Sequence, residues 1–213
     1  MTDKKLLFPI FLAVTLIASF SYAEEKGAEK KTKESVELTE EQAQAIIQKE
    51  QDTNTRYLLS KVILKAKALR ETYGMFSPFA AGLFPNGKVK FVWLAKPGEV
   101  VKDPMQALSV LRSSLRSQAL AGRLMSSAVA YDFKTPGSGV TRINVEVEYK
   151  TGYARLVSTT YTVDKDKKVV LGKVTEAEYD PFVFSEPTEE EKRVIEQRLK
   201  ELEEEKSKKD KAN

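Results

Sequence analysis

The spacing of apolar and polar residues along the chain predicts an α+β domain. Apolar residues three and four positions apart, the period of an amphipathic helix, occur in residues 43–69, 108–119 and 194–202. Elsewhere the period falls to two, which is the period of a strand with one buried face, most clearly in residues 142–149. The pattern predicts the order helix, two strands, helix, three or four strands, helix.

Capping residues place the starts of these helices. Thr39 and Gln42 have the spacing of a capping box, and residues 188–191 (Thr-Glu-Glu-Glu) repeat it. Asp103, followed by proline, opens the second helix. Residues 52–55 are poor helix formers. Because an unbroken first helix would be about 50 Å long, we expect a kink at this stretch or a first half that projects beyond the domain.

Short turns between strands predict antiparallel pairing. Residues 85–87 (Pro-Asn-Gly) form a tight turn between the first two strands. Residues 150–152 (Lys-Thr-Gly) leave two registers open. A two-residue turn sets Glu148 opposite Arg155, whereas a three-residue turn with a bulge at Gly152 shifts the pairing by one residue.

Several strands carry apolar residues on both faces, which favours helices on both sides of the sheet. The predicted fold class is therefore α+β, with an antiparallel sheet of about five strands between helices. The order of elements is analogous to that of profilin-like and roadblock-like domains. That analogy concerns topology and carries no function with it.

Three short segments also carry a resemblance to known proteins. They are the pattern G-x-F-x-P-F…L-x-x-N-G-x-V in residues 74–89, the run AVAYD in residues 128–132, and VEYKTGY in residues 147–153. Together they resemble a family of small bacterial α+β proteins of unknown function, over roughly residues 59–163. The resemblance implies the fold class and no activity.

The first 23 residues have the pattern of an export signal. Lys4 and Lys5 precede an apolar run over residues 6–20, and small residues lead to a cleavage position after Ala23, where charge begins with Glu24. The apolar run is shorter than the ~20 residues of a membrane-spanning helix. We therefore expect a periplasmic or secreted protein with no stable membrane insertion after cleavage.

Composition divides the chain into four parts. They are the signal peptide 1–23, a disordered lead 24–38 rich in Lys and Glu, the α+β domain 39–182 with its N-terminal helix, and a charged C-terminal helix and tail 183–213.

The absence of two residue types excludes most catalytic chemistry. The chain has no cysteine and no histidine, which removes thiol nucleophiles, thiolate metal sites and imidazole bases. No cofactor or metal site is predicted. The 35 basic and 31 acidic residues give a net charge of only +4, with no basic stripe interleaved with aromatics, so nucleic acid is not an expected partner.

Five charged residues remain as candidates for a site. Arg112 and Arg116 lie one helical turn apart and could hold an anion, although an exposed helix face is the simpler interpretation. Asp132 follows small and apolar residues and could be a buried acid or a strand-end cap. Glu146 and Glu148 share a strand face, which suits a carboxylate pair but is more often solvated.

These features lead to three hypotheses of function. The first is a non-catalytic binding module whose charged helices, with thin apolar seams, are completed by a second copy or another exported protein. The second is a carrier of a small apolar or anionic ligand. The third is a carboxylate-dependent hydrolase of cell-wall glycan.

Overall fold

The computed structural model describes residues 39–134 and 137–210, with side chains through residue 204. The predicted signal peptide 1–23 and lead 24–38 lie outside the described residues. Three helices and six strands follow one another: α1 (Glu40–Tyr73), β1 (Phe79–Leu83), β2 (Val89–Trp93), α2 (Pro104–Leu120), β3 (Ser126–Lys134), β4 (Thr141–Tyr149), β5 (Ala154–Val163), β6 (Val169–Glu178) and α3 (Glu189–Asp210). The protein is α+β, as the sequence predicts.

All six strands belong to one antiparallel sheet with the order β2-β1-β3-β4-β5-β6. The strands β3 to β6 form a meander, while α2 connects β2 to β3 so that β3 pairs with β1. This crossover places α2 against the sheet, and the two edge strands are β2 and β6.

Helix α1 covers one face of the sheet. Its buried residues Leu58, Val62 and Ala66 pack on Phe79, whose ring stacks on that of Trp93 at 4.7 Å between centroids. Each of these contacts removes apolar surface from water, which contributes about 1.5–3 kcal/mol for a fully buried large aliphatic or aromatic side chain. This face holds the larger of the two cores.

Helix α2 covers the opposite face, and it packs mainly over β1 and β3. Leu111 and Leu115 lie against Ala80 and Val129, together with Val183 from the segment after β6. Helices on both faces are therefore confirmed. Because α2 packs mainly over two strands, the same face of β4 is covered partly by the segment that carries Val183.

Helix α1 runs unbroken through residues 52–55. The hydroxyls of Thr53 and Thr55 donate to the carbonyls of Lys49 and Gln51, each four residues earlier in the helix. These bonds keep both hydroxyls satisfied inside the helix. The weak helix propensity of the stretch is overridden by packing, since Thr55 is buried against the domain.

The structure decides the register that the sequence left open. Glu148 lies opposite Ala154, and the amide of Tyr149 donates to the carbonyl of Tyr153 across residues 150–152. Gly152 has a φ of +88°, the left-handed conformation of a three-residue turn with a bulge. Glu148 is thus not paired with Arg155 and is available for contacts on its own face of the sheet.

Candidate functional site

The segment between β6 and α3, residues 179–188, is fastened across the sheet, and we call it the strap. Its first anchor is Glu148 on β4, which is 3% exposed. The Glu148 carboxylate accepts hydrogen bonds from the amides of Phe182, Val183 and Phe184 at 3.1, 2.8 and 3.1 Å, and from the Tyr179 hydroxyl at 3.1 Å. Four donors therefore replace the water that burial removes from this charge.

The second anchor is Arg116 on α2, which is 8% exposed. Its Nε and Nη2 donate to the two carboxylate oxygens of Glu191 at 2.6 and 2.7 Å. Its Nη1 donates to the Phe182 carbonyl and to the Ser185 hydroxyl, and Nη2 also donates to the Glu186 carbonyl at 3.1 Å. One guanidinium thus joins α2, the strap and the first turn of α3.

The Glu191 carboxylate accepts hydrogen bonds from both Arg116 and Thr188. Glu191 is the third residue of α3 and forms the predicted capping box, accepting from the Thr188 amide at 2.8 Å while its own amide donates to the Thr188 hydroxyl. The hydrogen bonds from Arg116, then that from the Thr188 backbone, lower the pKa of Glu191 to about 2. The hydrogen bonds and charge of Glu191 in turn raise the pKa of Arg116.

Beside the strap lies a small cleft of about 290 Å³, which we call the polar pocket. Arg112 on α2 and Glu146 on β4 form one wall through a two-pronged ion pair, with Nε–Oε2 2.8 Å and Nη2–Oε1 2.5 Å. The remaining lining residues are Ser109, Tyr179, Asp180 and Phe182. Burial, and then the carboxylates of Glu148 and Glu146, raise the pKa of Tyr179, so its hydroxyl keeps its proton.

An open groove of about 670 Å³ lies between the end of α2 and the apolar seam of α3, and we call it the α2–α3 groove. The α3 seam consists of Val194, Ile195, Leu199 and Leu202. Three of these side chains are 62, 55 and 40% exposed, namely Val194, Leu199 and Leu202. The helix therefore holds an apolar stripe in contact with water.

Asp132 belongs to a separate cluster on the α1 face. It accepts a hydrogen bond from the Tyr161 hydroxyl at 2.9 Å, and Arg70 Nη1 lies 3.8 Å from it. Asp132 Oδ1 and Arg70 Nε are both buried without a hydrogen-bond partner in the described structure. Burial raises the pKa of Asp132, against the smaller opposing effects of the Tyr161 hydrogen bond and the Arg70 charge.

The raised pKa of Asp132 predicts a pH-dependent difference from the variant D132N. The folded state binds the proton more tightly than the unfolded state, whose carboxyl titrates near 3.8. The stability that Asp132 contributes is therefore complete below that value and falls as the pH rises through the folded pKa. Urea unfolding between about pH 3.5 and 7 should show wild type losing stability relative to D132N as the pH rises. If the stability of wild type minus that of D132N stayed constant or increased as the pH rises, the assignment would be contradicted.

The structure separates the two arginines that the sequence grouped as an anion site. Arg112 is bound to Glu146 and Arg116 to Glu191, so each guanidinium already has a carboxylate partner. The simpler interpretation, an exposed helix face, is wrong for Arg116. This residue is only 8% exposed, because its guanidinium is covered by the strap. Binding of an external anion by this pair stays a prediction.

Glu146 and Glu148 do share a strand face, but that face is not solvated as the simpler interpretation held. The Glu146 side chain is 13% exposed and Glu148 is 3% exposed. One neutralises Arg112 and the other holds the strap. Both carboxylates are therefore committed to structural contacts in this conformation.

No protein-family model, curated protein or solved structure matches this chain. Across residues 39–134 and 137–210, no three acidic side chains are grouped as a metal would require. In the same part of the chain, no helix combines the length and apolar character needed to cross a bilayer.

Sequence reasoning missed Tyr179, the strap and the role of Glu191. The capping box at residues 188–191 located Glu191 but gave no sign of its partner Arg116, which is 75 residues away. A run of aromatic and apolar residues, Tyr179 to Phe184, was the available signal. Such a run between a strand and a charged helix indicates a segment that packs on the domain, as Val183 does.

Proposed function

We propose that the protein is an exported, non-catalytic interaction module that associates with a second copy of itself through the α2–α3 groove. The observation that carries the proposal is the exposed α3 seam, held in a fixed direction by Arg116. Export is supported by the pattern of residues 1–23, and a non-catalytic role by the lack of histidine and cysteine.

The α3 seam has the spacing of a helix that pairs with another helix. Ile195, Leu199 and Leu202 are four and three residues apart, as in the a and d positions of a heptad. Val194, Leu199 and Leu202 are each at least 40% exposed. Burying these side chains against a partner would remove a contiguous apolar surface from water, which favours association.

Charges around the groove favour a second copy as the partner. Its lining carries both signs, with Arg123 and Arg198 against Glu190 and Glu191. A surface that carries both signs can complement itself across a two-fold axis. This self-complementarity distinguishes a second copy from a partner with a single strong charge.

The heptad positions of α3 give a parallel pairing that fits these charges. With Leu199 at an a position, Arg198 is at g and faces Glu203, at e, of the second helix, in addition to its ion pair with Glu201 of its own helix. Glu191 also lies at a g position and would face Glu196 of the second copy. Its charge is already neutralised by Arg116, which reduces this repulsion.

Light scattering and sedimentation of the purified protein test the proposal. The intact mass first establishes that the chain begins after Ala23. We then expect a concentration-dependent dimer whose dissociation constant rises at least tenfold in L199D, because a charge replaces an apolar contact.

The matched control is L64D, since Leu64 is 57% exposed on α1 and lies outside the groove. It should dimerise like wild type. A protein that stays monomeric at high concentration, or equal weakening by L199D and L64D, would overturn self-association through this groove.

The described contacts give less support to the other two hypotheses, the ligand carrier and the glycan hydrolase. A carrier of small anions would use Arg112 and Arg116, which are bound to carboxylates. A glycan hydrolase would use Glu146 and Glu148, which hold Arg112 and the strap.

A further inference from the structure

We propose that the polar pocket binds one ring of a neutral, polyhydroxylated ligand, the chemical class of a monosaccharide unit. The pocket lies between α2, β4 and the start of the strap, away from the α3 seam. The proposal is therefore independent of self-association. Its volume of about 290 Å³ is at the small end of ligand sites, which suits a single substituted ring.

The hydrogen-bonding groups that line the pocket include both donors and acceptors. Arg112 uses Nε and Nη2 on Glu146, and its Nη1 makes no hydrogen bond with the described residues. The Ser109 hydroxyl and the Asp180 carboxylate are likewise without a partner in that part of the chain and line the same cleft. Sugar hydroxyls donate and accept at once, so adjacent hydroxyls can satisfy such a mixed set.

Aromatic side chains supply the second element of the site. Tyr179 and Phe182 line the cleft, and the Tyr179 hydroxyl is held by Glu148 at 3.1 Å. The Phe182 backbone amide donates a hydrogen bond to the same carboxylate, which fixes the neighbouring backbone. These contacts preorganise apolar ring surface against which the C–H face of a sugar can pack.

Charge balance favours a neutral ligand over an ion. Glu146 already neutralises Arg112 through two hydrogen bonds, so an anion would have to compete with a fixed carboxylate. Asp180 is exposed, and its attraction for a cation is weakened by water and salt. Hydroxyl groups require neither charge to be displaced.

Amide chemical shifts of the isotope-labelled protein test the proposal. Glucose, galactose, mannose and N-acetylglucosamine are titrated separately, with inorganic phosphate and ethanolamine as the anionic and cationic probes. We expect at least one sugar to saturate with a dissociation constant on the order of millimolar. The shifts should map to residues 109–112 and 179–182, and L199D should bind that sugar unchanged.

Two variants locate the binding site. S109A should weaken sugar binding about threefold, and R112K at least tenfold, because lysine cannot bind Glu146 and a hydroxyl in the same fork. S113A, one turn further along α2 and outside the pocket, is the control and should bind like wild type. Saturation by phosphate or ethanolamine alone, no saturation by any sugar, or equal effects of S109A and S113A would each overturn the proposal.

Discussion

Replacing Arg116 with methionine should lower the free energy of unfolding by about 3 kcal/mol, because the variant removes a buried guanidinium and leaves strap carbonyls without a donor. Methionine fills a similar volume, so the loss reports the guanidinium contacts with Glu191, Phe182 and Ser185 rather than a cavity. Guanidinium chloride unfolding measures the change. Hydrogen exchange in residues 182–195 should accelerate, because α3 is no longer joined to α2.

The control for this variant is R142M, since Arg142 is an exposed arginine on β4 away from the strap. Its effect should stay within about 0.5 kcal/mol. R116K should recover only part of the loss, because an ammonium cannot supply the planar fork that Glu191 and the strap share. Equal stability of R116M and R142M would contradict the role assigned to Arg116.

Glu148→Gln should be destabilising by about 3 kcal/mol although it changes the side-chain shape very little. Each carboxylate oxygen of Glu148 accepts two hydrogen bonds. The Tyr179 hydroxyl and the Phe182 amide donate to Oε1, and the Val183 and Phe184 amides donate to Oε2. An amide nitrogen cannot accept, so one orientation of glutamine leaves the Val183 and Phe184 amides without an acceptor. The other orientation leaves the Phe182 amide without one, while the Tyr179 hydroxyl can turn to accept from the glutamine. Each such buried donor costs about 1–3 kcal/mol. Urea unfolding measures the loss.

E176Q is the matched control, because Glu176 is an exposed glutamate on the edge strand β6. A loss in E148Q no larger than in E176Q would show that the strap does not depend on Glu148. The double variant R116M/E148Q should lose less than the sum of the two single losses, because both residues hold the same strap.

Local features of the fold followed directly from the sequence. The capping box of Thr39 and Gln42 forms as predicted, with reciprocal bonds of 3.0 and 3.3 Å. Asp103 caps α2 by accepting from the next two amides that lack a helical partner. These bonds join residues at most three positions apart, so the residues near each helix end are sufficient to specify them.

Features that depend on the environment of a side chain were predicted less well. Strand alternation placed Glu146 and Glu148 on one face, but it gave no information on what covers that face. The cover for Glu148 is the strap, whose amides lie 34–36 residues away along the chain. The expectation of a solvated strand face was wrong for this reason.

The sequence by itself determined the α+β class, the approximate positions of helices and strands, and the apolar seam of α3, because periodicity and capping act over a few neighbouring residues. Only the tertiary structure decided that Arg116 and Glu148 are buried, which partners they bind and where the pocket and groove form. The physical reason is that desolvation of a charge depends on segments distant in sequence, and chain folding alone brings Arg116 to Glu191 and Glu148 to the strap.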